Sequence, residues 1–183
     1  MKQWMILVIL ACAACSEDPV SYSAPVGINL KAKSGDVSGT AISEDKNITT
    51  ETANPYGAFV AAATTKIGSA PSRIEIDQVT LVLGAQSTNV TKLEDVFTGP
   101  VEISFVINDT DNTYNVGAIA NPTGVGPVDV EISLASADLT PQDFTRYLGG
   151  SFKVVAHGSA AAEFAMKGAE ADLQLTFTFA AFE

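Results

Sequence analysis

The chain has 183 residues, 46% hydrophobic and 17% charged, and its 10 basic and 21 acidic residues give a formal net charge of −11. Such an apolar chain is not disordered along its length, and its size fits one domain with a sizeable core. Nucleic acids bind through lysines and arginines that neutralise phosphates, so a pI near 4.3 without a basic cluster argues against a nucleic-acid partner.

The first residues have the layout of a secretory signal peptide, because Lys2 is followed by an uninterrupted apolar run. The run from Trp4 to Ala14 has 11 residues and would cover about 16 Å as a helix. A helix that spans a bilayer needs about 20 apolar residues. The run is therefore too short to cross a membrane.

Small residues precede Cys15 and Ser16 follows it, an arrangement that resembles the lipobox of bacterial lipoproteins. The resemblance implies that residues 1–14 are removed as a signal peptide and that Cys15 is lipidated, so that acyl chains such as palmitate anchor the protein in a membrane. Ser16 implies the outer membrane, with the domain facing the periplasm or the cell surface. Cys12, which follows an aliphatic segment, is the alternative lipidation site.

Cleavage before Cys15 would discard Cys12 and Lys2, leaving no free thiol, no disulfide and a net charge of −12. The sequence from Ser16 to Pro25 is polar and interrupted by prolines, which predicts a short tether. We therefore expect a lipidated cysteine and tether over residues 15–25 and a single domain over residues 26–183.

Alternation of apolar and polar residues is the dominant pattern of that domain, and it predicts half-buried strands. The predicted strands cover residues 26–30, 74–83, 101–107, 114–119, 128–134, 152–156 and 173–179. A one-residue shift in the pattern between Ile76 and Val79 predicts a β-bulge. Alternating strands joined by short turns form antiparallel sheets, so we expect an all-β fold, an antiparallel β-sandwich of about eight strands with one or two short helices.

Two segments depart from the strand pattern. Residues 140–150 begin with Thr140 and Pro141 and end in glycines, the start and stop signals of a short helix, which we expect to cover one end of the sandwich. Residues 54–67 are rich in alanine, which favours a second helix.

The loop at residues 108–112 is a predicted hairpin tip with three oxygen-bearing side chains. These are Asp109, Asp111 and Asn112. Calcium prefers oxygen ligands, so this loop, with Glu102 and Asn115 close by in sequence, is the candidate Ca²⁺ site and the one candidate for a cofactor. It lacks the length, the glycine and the closing glutamate of an EF-hand, and a solvated hairpin tip is the competing interpretation.

His157 is the one histidine of the chain, and catalysis at neutral pH usually recruits histidine. Ser151 and Ser159 are close to it in sequence, but neither lies in the strand-to-helix elbow of G-x-S-x-G hydrolases. The competing interpretation is a histidine near the end of a strand that meets solvent.

Acidic pairs at Glu75/Asp77 and Glu94/Asp95 are the other candidates for catalysis, because a glycosidase needs two carboxyl groups on opposing sides of a sugar. Glu75 and Asp77 alternate with isoleucines, which is typical of the solvated face of one strand. No catalytic residues are predicted from these pairs.

These features predict a membrane-anchored lipoprotein that works as a non-catalytic module for binding, adhesion or envelope assembly, with a protein or glycan partner. A carrier of an apolar ligand between the sheets and a hydrolase are the alternatives. A carrier should contain a cavity of several hundred cubic ångströms between its sheets, whereas a binding module should have a filled core and use its loops.

Overall fold

A computed structural model describes residues 20–51, 54–166 and 168–183. The predicted signal peptide, Cys12, Cys15 and the first four residues of the polar tether precede these residues. The strands are β1 (Ser21–Lys33), β2 (Ala41–Ile48), β3 (Arg73–Leu83), β4 (Phe97–Ile107), β5 (Thr113–Ile119), β6 (Val128–Asp129), β7 (Glu131–Ile132), β8 (Phe152–Ala160) and β9 (Glu170–Phe182). The helices are α1 (Pro55–Ile67), α2 (Pro141–Leu148) and α3 (Ala162–Met166). None of the helices in this part of the chain is long and apolar enough to cross a membrane.

The strands form two antiparallel sheets that pack together as a sandwich. Sheet A has the order β1-β9-β3-β6 and sheet B the order β2-β8-β4-β5-β7. Every strand pair is antiparallel. The predicted all-β sandwich is therefore confirmed.

The strand predictions for β1, β3, β4, β5, β8 and β9 are confirmed, and so is the bulge in β3, where the register with β9 shifts between Ile76 and Gln78. The predicted strand at residues 128–134 is two short strands instead. β6 pairs with β3 in sheet A and β7 pairs with β5 in sheet B, so the chain crosses between the sheets at the buried Val130.

The predicted tether is too long at its C-terminal end. β1 begins at Ser21, which is paired with Phe182 of β9, so five residues assigned to the tether belong to the sheet. Pro25 fits inside this strand because β1 is at the edge of sheet A, where a residue without an N–H group leaves no neighbouring strand unpaired.

Both predicted helices are present, and each begins with a side-chain cap. The Oδ1 atom of Asn54 accepts a hydrogen bond from the N–H of Tyr56 at 3.0 Å, and α1 follows. The Oγ1 atom of Thr140 accepts a hydrogen bond from the N–H of Asp143 at 3.2 Å, and Pro141 begins α2. Each cap satisfies a backbone donor that the first turn of a helix leaves without a partner.

An aromatic cluster fills the space between the sheets at the end covered by α2. Tyr56 of α1 packs edge-on against Phe152 of β8 and Phe179 of β9, with ring centroids 5.2 and 5.4 Å apart. Tyr147 of α2 lies 5.0 Å from the Phe152 ring, and its backbone oxygen accepts a hydrogen bond from the Tyr56 hydroxyl at 3.0 Å. Tyr147 therefore inserts α2 into the core, as expected of a helix that covers one end. We call this the α2 end.

Candidate functional site

One buried carboxylate holds the hairpin tip of residues 108–112 against α2. Asp143 is fully buried, and its Oδ1 atom accepts a hydrogen bond from Thr110 Oγ1 at 2.9 Å. Its Oδ2 atom accepts one from Asn112 Nδ2 at 2.8 Å and another from the Tyr114 hydroxyl at 2.6 Å. The hydrogen bonds from Tyr114 and Asn112, followed by that from Thr110, lower the pKa of Asp143 to about 2. The carboxylate is thus ionised and fully engaged at neutral pH.

Further contacts fix the conformation of the same tip. Asp109 forms an ion pair with Arg146 of α2. Asp109 and Asp111 have φ angles of 68° and 55°, in the left-handed region that aspartate tolerates better than most residues. The N–H of Asp111 donates to the carbonyl of Ile107 at 3.0 Å. The tip is a built loop whose shape depends on α2.

Close packing at Thr50 joins a second pair of loops to this corner. A Cβ atom at Gly57 would lie 2.8 Å from the Thr50 carbonyl carbon, and one at Gly150 would lie 2.8 Å from Thr50 Cγ2. The Thr50 hydroxyl donates to the Gly149 carbonyl at 3.3 Å. Two glycines are therefore required where the chain after β2 meets the start of α1 and the loop before β8.

The loops surround an open depression of about 600 Å³ with a mostly polar lining. We call this surface the loop corner, and its polar residues are Asn47, Thr49, Asn108, Asp109, Asp111, Ser151 and Lys153. The N–H of Asn108 donates to the Ser151 carbonyl at 3.1 Å, which joins the hairpin tip to the β8 side. Amide, hydroxyl, carboxylate and ammonium groups in one fixed depression can hydrogen-bond a polar ligand.

The three predicted calcium ligands lie on the hairpin tip, and two of them contact side chains of α2. Asp109 pairs with Arg146, and the Asn112 amide nitrogen faces Asp143. Among the residues described, no group of three or more His, Cys, Asp or Glu side chains is placed to hold a metal ion. The loop docks on a carboxylate from another element while Asp111 and Asn112 stay exposed to solvent, and the calcium site stays a prediction.

The two residues expected to lie near that loop are on strands leading away from it. Glu102 is paired with His157 in β8, and Asn115 is paired with Ser104 in β4. Both positions lie several residues from the tip along their strands. The structure therefore does not bring them to the candidate calcium ligands.

His157 is exposed on the outer face of sheet B, where its neighbours across the strands are Ser43 and Glu102. The strand continues to Ala160, so the histidine lies within β8 and not at its end. Its exposure agrees with the solvent-facing interpretation. It lines neither the loop corner nor the aromatic cluster.

The acidic pairs are occupied by local contacts. Glu75 forms an ion pair with Arg73 at 3.0 Å, and Asp77 accepts a hydrogen bond from the Ser23 hydroxyl at 3.4 Å. Glu94 accepts a hydrogen bond from the N–H of Gly124 at 2.7 Å. Hydrogen bonds from backbone N–H groups and from Lys92 lower the pKa of Glu94.

The residue that organises the corner, Asp143, was missed by sequence reasoning. Its position three residues after Thr140 marks it as part of a helix N-terminus, where an acidic residue is common. Nothing local indicates that its donors are Thr110, Asn112 and Tyr114, about 30 residues earlier in the chain. Comparison with protein-family models, with curated proteins and with solved structures finds no match for this chain.

Proposed function

We propose that this chain is a lipid-anchored bacterial envelope protein, attached through Cys15, whose loop corner binds a polar partner without catalysis. The observation that carries the proposal is the polar depression built by three loops, one of which, the hairpin tip, is held by the buried carboxylate of Asp143. A site whose groups are already held in place loses little conformational entropy on binding. Loops on a rigid sandwich are also where binding residues usually lie.

The packing between the sheets favours this function over an apolar carrier. Phe105, Phe152, Phe177 and Phe179 are fully buried there, and their rings lie within 5.0 to 5.7 Å of neighbouring rings. The loop corner, in contrast, is open to solvent. A partner on the surface therefore fits better than a ligand in the core.

The start of β1 defines how an anchored domain would be oriented. The carbonyl of Val20 accepts a hydrogen bond from the N–H of Glu183 at 3.2 Å, and Tyr22 contacts Phe59 of α1, so the chain enters the fold at the α2 end. The five residues between Cys15 and Ser21 reach about 17 Å when extended. The loop corner would then lie at the membrane-proximal end, where a partner approaches from the side.

We propose that the anchor lies in the outer membrane, with the domain facing the periplasm or the cell surface. The acidic composition of the domain explains why an anchor is needed. Twenty-one acidic against ten basic residues repel an anionic membrane surface. We propose that two or more acyl chains, and not the protein surface, hold the domain at the membrane.

Site-specific photocrosslinking in intact cells tests the binding surface. A photoreactive amino acid at Asp111, which lines the loop corner, should give a discrete adduct with an envelope partner. The matched position is Val125, which is 55% exposed in the loop before β6 at the opposite end. Adducts from Val125 and none from Asp111 would place the binding surface elsewhere.

Metabolic labelling with radioactive palmitate tests the anchor separately. Cys15→Ala should abolish labelling, because the thioether and the new amino terminus both depend on that residue. Cys12→Ala serves as the control and should leave labelling intact. Label retained in the Cys15 variant and lost in the Cys12 variant would move the anchor to Cys12.

A further inference from the structure

A cleft between the edge strands of the two sheets adjoins the loop corner, with which it shares Asn47, and has features of its own. Its volume is about 220 Å³ and its walls include Gly27, Asn29, Lys46, Asn47, Asn54 and Pro55. β1 is the edge of sheet A and β2 the edge of sheet B. Among the residues described, no backbone hydrogen bond joins these two strands along the cleft.

The backbone of β1 presents hydrogen-bonding groups to this cleft. The carbonyl of Val20 and the N–H of Ser34 both bond toward the segment that contains β9, so even-numbered residues of the strand face β9. Backbone groups alternate in direction along a strand, so odd-numbered residues face outward. Pro25, which has no N–H group to pair, agrees with this assignment. Gly27 and Asn29 therefore direct their N–H and C=O groups away from the sheet.

The same reasoning applies to β2. The carbonyl of Thr40 accepts a hydrogen bond from Ala160 at the end of β8, so even-numbered residues face β8 and Asn47 faces outward. The side chains of Asn29 and Asn47 have no hydrogen-bond partner among the described residues. Both walls of the cleft thus carry backbone and amide groups available to a bound chain.

Gly27 leaves the outer face of β1 without a side chain beside this open edge. A Cβ atom at this position would meet no atom within 4 Å, and Gly27 is not among the glycines with a positive φ. Folding therefore gives no reason for a residue that weakens a strand interior. A glycine in such a position often marks the close approach of another backbone.

The rest of the β1 edge is guarded. Before the cleft, α1 packs against the strand through the contact of Phe59 with Tyr22, and Pro25 removes a donor. After it, Lys31 and Lys33 place charges on the strand, and charged side chains are a common means of blocking an exposed edge. Only the stretch around Gly27 and Asn29 is left open to pairing.

We propose that the cleft binds a short extended segment of a partner polypeptide, which adds a strand to β1 at Gly27 and Asn29 and places a carboxylate at Lys46. The lining contains Lys46 and no acidic residue, in a chain with twice as many acidic as basic residues. Lys46 makes no ion pair within the described part of the chain. Main-chain hydrogen bonds would supply affinity and the charge would select the segment.

This inference deepens the proposed function by naming an extended acidic peptide as one partner chemistry, and it can fail independently. Photocrosslinking at Asp111 involves the loop corner and neither Gly27 nor Lys46. Peptide binding at the cleft requires no crosslink at the corner.

The probe is an acetylated, amidated and fluorescently labelled peptide, TVTETVT, titrated into the lipidated protein in detergent micelles and followed by anisotropy. We expect saturable binding below about 1 mM. Two further peptides carry N-methyl groups at alternate residues, one on each backbone edge. The peptide methylated on the edge that pairs with β1 should bind about tenfold more weakly, and the peptide methylated on the other edge should bind as well as the unmethylated one. Equal binding by both methylated peptides would overturn strand addition.

Variants of the protein identify the surface. Gly27→Pro removes one outward N–H group, as Pro25 already does, and should weaken binding about tenfold. Ser23→Pro, the same change at an outward position beyond the cleft, should not. If Gly27→Pro fails to fold, the methylated peptides with the unmodified protein decide the question.

The charge is tested with a matched pair of lysines. Lys46→Ala should weaken binding of the peptide, whereas Lys66→Ala on the exposed side of α1 should have no effect. Replacing the glutamate of the peptide with lysine should abolish binding to the original protein. No binding of TVTETVT at 1 mM would overturn the proposal. Preferential binding of a neutral oligosaccharide such as chitotriose would also overturn it, and would assign the amide-lined cleft to a glycan.

Discussion

Asp143 shows how one residue can define a surface that it does not itself reach. Burying a carboxylate is costly unless hydrogen bonds replace its water, and here three side-chain donors do so. The donors Thr110, Asn112 and Tyr114 belong to the hairpin tip and the strand that follows it. The position of the tip, and therefore of Asp111 in the loop corner, depends on this single ionised group.

Asp143→Asn should lower the melting temperature by roughly 5 to 10 °C, because an amide replaces one acceptor oxygen with a donor that faces other donors. Differential scanning calorimetry at pH 7 measures this change. Glu131→Gln is the matched control, since it removes an exposed carboxylate that has no hydrogen-bond partner among the described residues. This variant should melt within about 1 °C of the original protein. Equal effects of the two changes would contradict the role given to Asp143.

The pH dependence of stability follows from the same carboxylate. Its pKa is about 2 in the folded protein and near 3.9 in an unfolded chain, so its stabilising contribution is complete above about pH 4 and is lost as the pH falls toward 2. The difference in urea midpoint between the original protein and Asp143→Asn should be constant from pH 7 to 5 and shrink below pH 4. A difference that grows on acidification would have the wrong sign.

At the scale of elements, the strands with two neighbours and the edge strand β1 were predictable, whereas the edge strand β2 was not. β4 from Val101 to Ile107 and β9 from Leu173 to Phe179 alternate because one face of each of these stretches is buried. β2 was missed because its inward-facing positions do not read as apolar. Glu44 and Lys46 lie at the same alternate positions as the buried Ile42 and Ile48, and the edge strand tolerates them because its inner face is partly open. Burial of the Glu44 carboxyl, followed by the nearby Asp36 and Asp45, raises its pKa.

The site was predictable only in its parts. Sequence patterns located the hairpin tip and the α2 helix and selected Asp109 and Asp111 as residues of interest. They could not show that the tip docks on α2, because that contact joins segments about 30 residues apart and depends on how both pack on the sandwich. Oxygen-bearing side chains satisfied by an internal partner look the same in sequence as those that await a metal.

The glycine at the meeting point of the loops gives an element-scale prediction. Gly150→Ala combines a φ of 64° with a Cβ atom 2.8 Å from Thr50 Cγ2, whereas Gly39→Ala has a φ of 63° and open space around it. The free energy of unfolding of the Gly39 variant should fall by about 1 kcal/mol, from backbone strain alone. The free energy of unfolding of the Gly150 variant should fall by about 1 to 3 kcal/mol more, because of overpacking.

Urea unfolding of both variants measures this difference. A Gly150 variant no less stable than the Gly39 variant would show that the loops can separate without cost. In that case the loop corner would not be held by the contact at Thr50.

At the scale of the whole molecule, stability rests on burial between two sheets. The rings of Phe105, Phe152 and Phe177 occupy the interior, and Tyr56 and Tyr147 bring both long helices into it. A filled interior has no room for a ligand without displacement of these rings. The surface loops and edges are then what the fold offers to partners.

Phe105→Ala should lower the free energy of unfolding by about 3 to 5 kcal/mol, because it leaves a cavity among rings that cannot collapse freely. Val125→Ala, at an exposed position, should change it by less than about 0.5 kcal/mol. Urea unfolding measures both. A small effect at Phe105, together with an extractable lipid in the purified protein, would indicate a core that opens for a carrier function.

The place of β9 in sheet A has a consequence for how the protein reaches its folded state. It follows every other strand along the chain, yet it lies between β1 and β3 and pairs with both. Those two strands have no contact with each other in the sheet until β9 separates and joins them. Under the proposed export and acylation at Cys15, the chain would be tethered to its membrane before half of its sandwich could assemble. During that interval it would depend on whatever shields extended apolar segments in the envelope.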